Sequence, residues 1–306
     1  MSELLQITPR MPEAGDTASP VRRLPDWLTV RLPKRKPIEE VEDLMRGKRL
    51  VTVCEEARCP NLWECWSKKT ATFMIMGDTC TRSCRFCAVK TGRGGPLDPE
   101  EPRHVAEAAQ QLGLKHVVVT SVNRDELPDG GAKHFAETLR QLRELMPGAI
   151  LEVLTPDFLG KEDLIQIVVD AKPHVYNHNV ETVPRLYRQV RPQAKYQRTL
   201  DVLKYVKQAD PGIYTKSGFM VGLGETFDEV VALMKDLKAH DVDCVTIGQY
   251  LKPGKQYLDV VEYVHPDVFA QYKRLGEEMG FTFVASGPFV RSSYNAIEFS
   301  QAVSLV

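Results

Sequence analysis

Six of the seven cysteines lie between positions 54 and 87, and only Cys244 lies outside that segment. Cysteine thiolates are ligands for zinc and for iron–sulfur clusters. A disulfide scaffold is typically a small secreted domain, whereas this chain has 306 residues and an odd cysteine count. Its first residues lack the apolar segment of a signal peptide. We therefore expect reduced thiols that hold metal in a cytoplasmic protein.

The second cysteine group, Cys80, Cys84 and Cys87, has the spacing C-x₃-C-x₂-C. Three thiolates on one loop can hold a [4Fe–4S] cluster, which normally takes four, and so leave one iron open. An open iron can chelate the amino and carboxylate groups of S-adenosylmethionine (SAM), a source of radical chemistry. The alternative is structural zinc, which usually shows two C-x₂-C pairs. With the aromatic Phe86 before its last cysteine, the motif resembles that of the radical SAM superfamily.

The first cysteine group, Cys54, Cys59 and Cys65, has the different spacing C-x₄-C-x₅-C, which predicts a second site instead of one large one. Buried reduced thiols are the alternative. The segments V-C-E-E-A-x-C-P-N and E-C-W resemble the lipoyl synthase family. Six further segments resemble the same family, namely GDTCTR (77–82), RDELPDGG (124–131), NVETVP (179–184), KSG (216–218), GLGET (222–226) and RSSY (291–294). The resemblance covers about 50 to 295, nearly the whole chain.

This resemblance implies two [4Fe–4S] clusters and SAM as cofactors. It implies insertion of two sulfur atoms at C6 and C8 of an octanoyl chain on a lysine of a lipoyl carrier domain or glycine cleavage H protein. The auxiliary cluster, held by Cys54, Cys59 and Cys65, would donate the sulfur. Its fourth ligand is carried over to Ser293, with Ser292 as the second choice. An N-cap or turn serine is the alternative from the sequence alone. No catalytic residue beyond the cluster ligands is predicted.

Polar residues at the ends of predicted strands are candidates for contacts to SAM. The segment 222–226 and Glu181 are similar to the superfamily's methionine and ribose contacts, and the other candidates lie near them, with ordinary strand-end hydrogen bonding as the alternative. The candidates are Thr120, Asn179, Glu181, Lys216, Gly222 and Glu225.

Strands that alternate with helices must position these residues. Runs rich in β-branched and apolar residues predict strands at 71–76, 116–122, 149–154, 174–179, 214–221, 243–249 and 281–285. Apolar residues spaced i, i+3, i+4 and i+7 predict helices between them, and a further helix is expected at about 38–48. About six such units predict an α/β fold, a partial TIM-like (β/α) barrel with N- and C-terminal extensions, in preference to an open Rossmann sheet.

Four segments follow from this pattern. They are a flexible tail (1–24), an extension with the auxiliary ligands (25–70), the barrel (71–285) and a C-terminal extension with RSSY (286–306). The net charge of −1 argues against general electrostatic binding to nucleic acid or to an anionic membrane. No apolar run reaches the about 18 residues of a membrane helix. Expected partners are the octanoylated carrier, an electron donor and an iron–sulfur carrier for cluster repair, with the basic arm 22–36 as a candidate docking surface.

Overall fold

The computed structural model describes residues 24–29, 36–293 and 296–303. The strands are β1 (Val51–Thr52), β2 (Phe73–Ile75), β3 (Thr79–Cys80), β4 (Lys90–Thr91), β5 (His116–Ser121), β6 (Ile150–Leu154), β7 (Val175–Asn177), β8 (Tyr214–Val221), β9 (Cys244–Gln249) and β10 (Phe283–Gly287). Most of the predicted tail, most of the basic arm and Tyr294 of the RSSY motif lie outside the described residues.

The helices surround this set of strands. They are α1 (Lys36–Gly47), α2 (Val53–Glu56), α3 (Leu62–Ser67), α4 (Glu101–Leu112), α5 (Ala132–Leu145), α6 (Glu162–Asp170), α7 (Tyr187–Val190), α8 (Tyr196–Ala209), α9 (Phe227–Ala239), α10 (Pro266–Glu278) and α11 (Ala296–Ala302). Short 3₁₀ turns lie at Asp26–Leu28, Phe158–Gly160 and Pro184–Leu186. None of the helices in the described ranges is long and apolar enough to cross a membrane.

Eight strands form one sheet in the order β1-β2-β5-β6-β7-β8-β9-β10, and β3 pairs with β4 separately. The strands β2 and β5 to β10 pair in parallel, while β1 adds an antiparallel edge with Val51 opposite Met74. Six helices, α4, α5, α6, α8, α9 and α10, connect the seven parallel strands. Over the described residues β1 and β10 do not pair, so the sheet curves without closing. The predicted partial barrel of about six units is confirmed.

Side chains on the outer face of the sheet pack against the helices. Val117 and Val119 of β5 are buried together with Leu139 and Leu142 of α5 in the larger hydrophobic core. Full burial of each such side chain contributes roughly 1.5–3 kcal/mol to the free energy of folding, compared with leaving it exposed to water. A second core continues the same packing around β8, β9, α9 and α10.

The barrel interior is closed at its amino-terminal end by α11. Phe299 of this helix is buried and makes edge-to-face contacts with Tyr214 and Phe283. It also packs with Val175 and Cys244, and these four partners are the first residues of β8, β10, β7 and β9. Cys244 is therefore a core residue.

A buried ionic layer lies above this plug. Lys216 Nζ lies 2.8 Å from one carboxylate oxygen of Glu152, and His116 Nε2 lies 3.0 Å from the other. His116 Nδ1 contacts the hydroxyl of Ser300 on α11. Burial alone would raise the pKa of Glu152, but the charge of Lys216 and then the hydrogen bond from His116 outweigh it and lower the pKa to about 2. The layer separates the apolar plug from the opposite, carboxyl end of the strands.

Candidate active site

Both cysteine groups line one cavity of about 390 Å³. Thr120, Leu154 and Gln249, at the carboxyl ends of β5, β6 and β9, also line it. The cavity therefore lies at the end of the parallel strands where (β/α) barrels carry their chemistry. All seven cysteines are free thiols.

The loop of the second cysteine group is fixed to the barrel by Arg82. This side chain is only 4% exposed, and it donates to Asp125 at 2.8 and 2.9 Å and to Asp157 at 2.6 Å. The Sγ atom of Cys80 accepts the backbone N–H groups of Arg82 and Asn123 at 3.5 and 3.3 Å. These bonds tie the loop to the segments that follow β5 and β6.

Burial determines the protonation of the thiols in this loop. It raises the pKa of Cys87 to about 12, with added repulsion from Cys84 and Cys80. Burial also raises the pKa of Cys84, against the positive charge of Arg191. Metal ligation requires the thiolate, so binding of a metal cluster would release protons from these groups.

The first cysteine group is built on two short helices. Thr52 caps α2, whose Cys54 is buried, and the N–H of Cys59 donates to the carbonyl of Cys54 at 3.0 Å. The N–H of Cys65 in α3 donates to the carbonyl of Asn61 at 2.9 Å. Burial raises the pKa of Cys54 to about 11 and that of Cys65 to about 12, and the neighbouring thiols of the group add to both shifts. The three sulfurs are thus close enough to repel one another as thiolates.

The C-terminal extension returns to this group. The side-chain amide of Asn61 donates to the carbonyl of Phe289 at 2.6 Å. The hydroxyl of Thr72 donates to Oγ of Ser293 at 2.9 Å. The carbonyl of Thr72 in turn accepts the N–H of Val53, next to Cys54. The structure therefore brings Ser293 to the first cysteine group from the far end of the chain.

Three of the six predicted SAM contacts line the cavity, namely Thr120, Asn179 and Glu181. The side-chain amide of Asn179 donates to Glu181 at 3.0 Å, and burial raises the pKa of Glu181. The hydroxyl of Thr120 donates to the carbonyl of Leu154 at 3.0 Å.

The other three lie elsewhere in the described structure. Lys216 is paired with Glu152 in the ionic layer. The carboxylate of Glu225 accepts the backbone N–H groups of Gly222 and Leu223, which closes the turn after β8. Their contact with SAM stays a prediction.

Several polar residues of the cavity were missed by the sequence analysis. Arg191 donates to the carbonyl of Asn179 at 2.8 Å and lies beside Cys84. Ser121 Oγ and Asn123 Oδ1 are buried without a hydrogen-bond partner among the described residues. Ser121 is the last residue of β5 and Asn123 lies two residues beyond it, so the strand-end rule could have indicated both. Buried unpaired polar atoms in a cavity fit a polar ligand such as SAM.

The ligand geometry distinguishes a single metal ion from a cluster. Over the described ranges, no three His, Cys, Asp or Glu side chains converge as the ligands of a single metal ion do. A cubic [4Fe–4S] cluster takes one sulfur per iron, so its ligands stand apart around the cluster. Two groups of three free thiols that line one cavity fit clusters of this kind.

Comparisons with known proteins agree with this geometry. Residues 74–237 match the family model of the radical SAM superfamily, and residues 14–59 match the N-terminal domain of lipoyl synthase. A solved methylornithine synthase covers 86% of this chain and 90% of its own, with a TM-score of 0.53 at 15% identity. SuiB of Streptococcus suis covers 74% of this chain and 52% of its own, with a TM-score of 0.52 at 13% identity. At these identities the two structures support the fold alone.

Curated relatives are much closer in sequence. Lipoyl synthase of Rubrobacter xylanophilus is 60% identical over 90% of this chain and 85% of its own. Lipoyl synthase of Caldanaerobacter subterraneus subsp. tengcongensis is 58% identical over 90% of this chain and 96% of its own.

An open parallel barrel with a C-x₃-C-x₂-C loop at its mouth defines a radical SAM enzyme. A superfamily match alone leaves the reaction open, because the superfamily shares its radical-generating motif across reactions. The identities above extend through both cysteine groups and settle that question. The chain belongs to the lipoyl synthase family, and it is a sulfurtransferase.

Proposed function

We propose that this enzyme inserts two sulfur atoms, at C6 and C8, into an octanoyl chain bound to a lysine of a lipoyl carrier domain or glycine cleavage H protein. The observation that carries the proposal is the placement of two cysteine triplets of different spacing on one cavity. One triplet suffices for a radical SAM reaction, so the second has another task. Sulfur donation is the task that the family membership supports.

Cys80, Cys84 and Cys87 would hold a [4Fe–4S] cluster with one iron open to SAM. When bound, this cluster and SAM supply a 5′-deoxyadenosyl radical, which can take hydrogen from an unactivated C–H bond. The protein's own parts are to hold the loop in place and to supply a largely apolar cavity. Arg82 does the first through its two carboxylate partners.

Thr120, Asn179 and Glu181 would contact SAM beside this loop. Arg191 lies between Cys84 and the carbonyl of Asn179, so its charge is placed to meet an anionic group of the same ligand. Apolar side chains also line the cavity, among them Met74, Leu154 and Met220. Such a lining suits an alkyl chain and a reactive radical.

Cys54, Cys59, Cys65 and Ser293 would hold the auxiliary [4Fe–4S] cluster, which when bound supplies sulfide. Two contacts favour Ser293 over Ser292 as the fourth ligand. Oγ of Ser293 accepts a hydrogen bond from the hydroxyl of Thr72, and the carbonyl of Thr72 accepts the N–H of Val53, the residue before Cys54. The hydroxyl of Ser292 is engaged by Asn179 on the opposite side. A hydroxyl oxygen is a hard ligand for iron–sulfur chemistry and is suited to displacement.

An electron donor and an iron–sulfur carrier complete the proposed set of partners, because reduction and cluster repair both need an outside source. We place the reaction in the cytoplasm, where thiols stay reduced.

The experiment is mass spectrometry of an octanoyl-lysine peptide after anaerobic reaction with SAM and a strong reductant. The cluster-loaded enzyme should yield a peptide with two added sulfur atoms, together with 5′-deoxyadenosine. An octanoyl mass that is unchanged while 5′-deoxyadenosine accumulates would contradict sulfur insertion and favour a radical SAM enzyme whose second cluster only transfers electrons.

A further inference from the structure

The tripeptide Arg291-Ser292-Ser293 contacts both halves of the cavity at once. Oγ of Ser293 accepts a hydrogen bond from Thr72 at 2.9 Å, on the side of the first cysteine group. The positive charge of Arg291 acts both on Cys59 of that group and on Glu181 across the cavity. Consecutive residues of one turn therefore face the two sites separately.

Ser292 makes the contact on the opposite side. The side-chain amide of Asn179 donates to Oγ of Ser292 at 2.7 Å, and the Ser292 hydroxyl lies 3.0 Å from Oδ1 of Asn179, to which it donates. The amide of Asn179 also donates to Glu181 at 3.0 Å. Ser292 thus fixes the side-chain orientation of a residue in the proposed SAM site.

Two glycines leave room for this segment in the barrel mouth. A Cβ atom at Gly218 would lie 2.9 Å from Oδ1 of Asn179 and 3.0 Å from Oγ of Ser292. A Cβ atom at Gly248 would lie 2.1 Å from the carbonyl oxygen of Val290. The Gly248 contact is to backbone, which cannot shift cheaply, so the chain that leads into Arg291 is packed directly against β9, while Gly218 of β8 leaves room for the Ser292 and Asn179 side chains.

We propose that Ser292 is a positioning residue that holds Asn179 for SAM and, through the adjacent Ser293, makes SAM binding depend on an intact auxiliary site. The inference rests on the proposed function, because it assigns SAM to the Asn179 side and the auxiliary cluster to the Ser293 side. When Oγ of Ser293 loses its hydrogen bond to Thr72 at the auxiliary site, the turn that contains both serines is released. The hydrogen bonds between Ser292 and Asn179 are then lost as well. An enzyme without its sulfur source would then bind SAM less tightly and consume less of it.

The test measures the Kd of SAM by equilibrium dialysis with anaerobic, cluster-loaded protein. Ser292→Ala should weaken binding about five-fold, the effect of one lost hydrogen bond. Ser292→Thr keeps the hydroxyl and should remain within about two-fold of wild type. Ser286→Ala is the matched control, because it also removes a hydroxyl that makes a hydrogen bond (to the backbone carbonyl of Phe269), but Ser286 does not line the cavity.

Two further variants, Asn179→Ala and Ser293→Ala, test the inference separately from the SAM site on which it rests. Asn179→Ala should weaken SAM binding, and adding Ser292→Ala to it should cause no further loss, because the two residues act through one contact. Ser293→Ala should weaken binding by a similar factor in the wild-type background and have no effect beside Ser292→Ala.

The outcomes are distinguishable. Unchanged affinity in Asn179→Ala would contradict the SAM site of the proposed function and the inference with it. Weakened affinity in Asn179→Ala with unchanged affinity in Ser292→Ala would overturn the inference alone. Unchanged affinity in Ser293→Ala would overturn the link between the two sites.

Discussion

Replacement of Glu152 by glutamine perturbs the ionic layer beneath the cavity. Glu152 is fully buried, and its carboxylate is the one negative group that faces both Lys216 and His116 in this layer of the described barrel. Glutamine keeps the shape but removes the charge, so Lys216 is left buried with no opposite charge. We expect the free energy of unfolding to fall substantially, with little change in the outer core.

The magnitude follows from the pKa of Glu152. Lowering that pKa from an ordinary 4.5 to about 2 corresponds to about 3 kcal/mol of folding stability. Removing one partner of a buried ion pair costs about 3–5 kcal/mol in other proteins, which agrees. Because the folded pKa is lowered, this stability is present above about pH 4.5 and is lost as the pH falls toward 2.

The assay is anaerobic urea denaturation of the cluster-loaded enzyme, followed by circular dichroism. Glu152→Gln should lose about 3 kcal/mol at pH 7. The double replacement Glu152→Leu with Lys216→Met should recover most of the loss, because it leaves no buried charge of that pair. A loss below about 1 kcal/mol, or no recovery in the double variant, would refute the reasoning.

Three other changes have definite expected results. Cys65→Ala should still form 5′-deoxyadenosine from SAM but give no thiolated peptide, and a thiolated product would contradict the donor role of the auxiliary site. Gly131→Ala should lower the free energy of unfolding by roughly 1–3 kcal/mol in urea denaturation, because Gly131 has φ 87° and its Cβ would lie 2.1 Å from the sulfur of Met76. Arg82→Met should speed iron loss to a chelator under anaerobic conditions, since the cysteine loop loses its bonds to Asp125 and Asp157, and an unchanged rate would show that the loop is held by other contacts.

The strands were predictable where local patterns are strong. The run 214–221 coincides with β8, a strand in which all residues except the partly exposed Tyr214 and Met220 are buried. The last strand was predicted at 281–285 but lies at Phe283–Gly287. The apolar Phe281 packs in the core from a loop position, where its N–H bonds Gly276 instead of a neighbouring strand. The two-residue strand β1 is too short for any periodic signal.

The depth of a side chain inside the barrel was not predictable from the sequence. Lys216 and Gly218 face the same side of β8 because strand side chains alternate. Gly218 lines the cavity, whereas Lys216 lies one layer deeper and meets Glu152. Only the register between β6, β7 and β8, a long-range property, assigns each inward residue to its layer.

The two serines of the RSSY motif illustrate the same limit. Sequence favoured Ser293 over Ser292 only through a family resemblance, since adjacent serines are locally equivalent. Their separate environments come from Thr72 and Asn179, which are 221 and 113 residues away in the chain. The clustering of six cysteines, in contrast, is a local signal and indicated the chemistry directly.

The central claim is that the protein supplies the sulfur from its own auxiliary site while SAM chemistry occurs at the other. The direct measurement loads the enzyme with heavy-isotope sulfide and analyses the octanoyl-lysine peptide by mass spectrometry after reaction with SAM and a reductant in unlabelled buffer. The product should carry two heavy sulfur atoms, and it should carry none when Cys54, Cys59 and Cys65 are replaced by alanine. A product with sulfur of natural abundance, or labelled product from the replaced enzyme, would contradict the central claim.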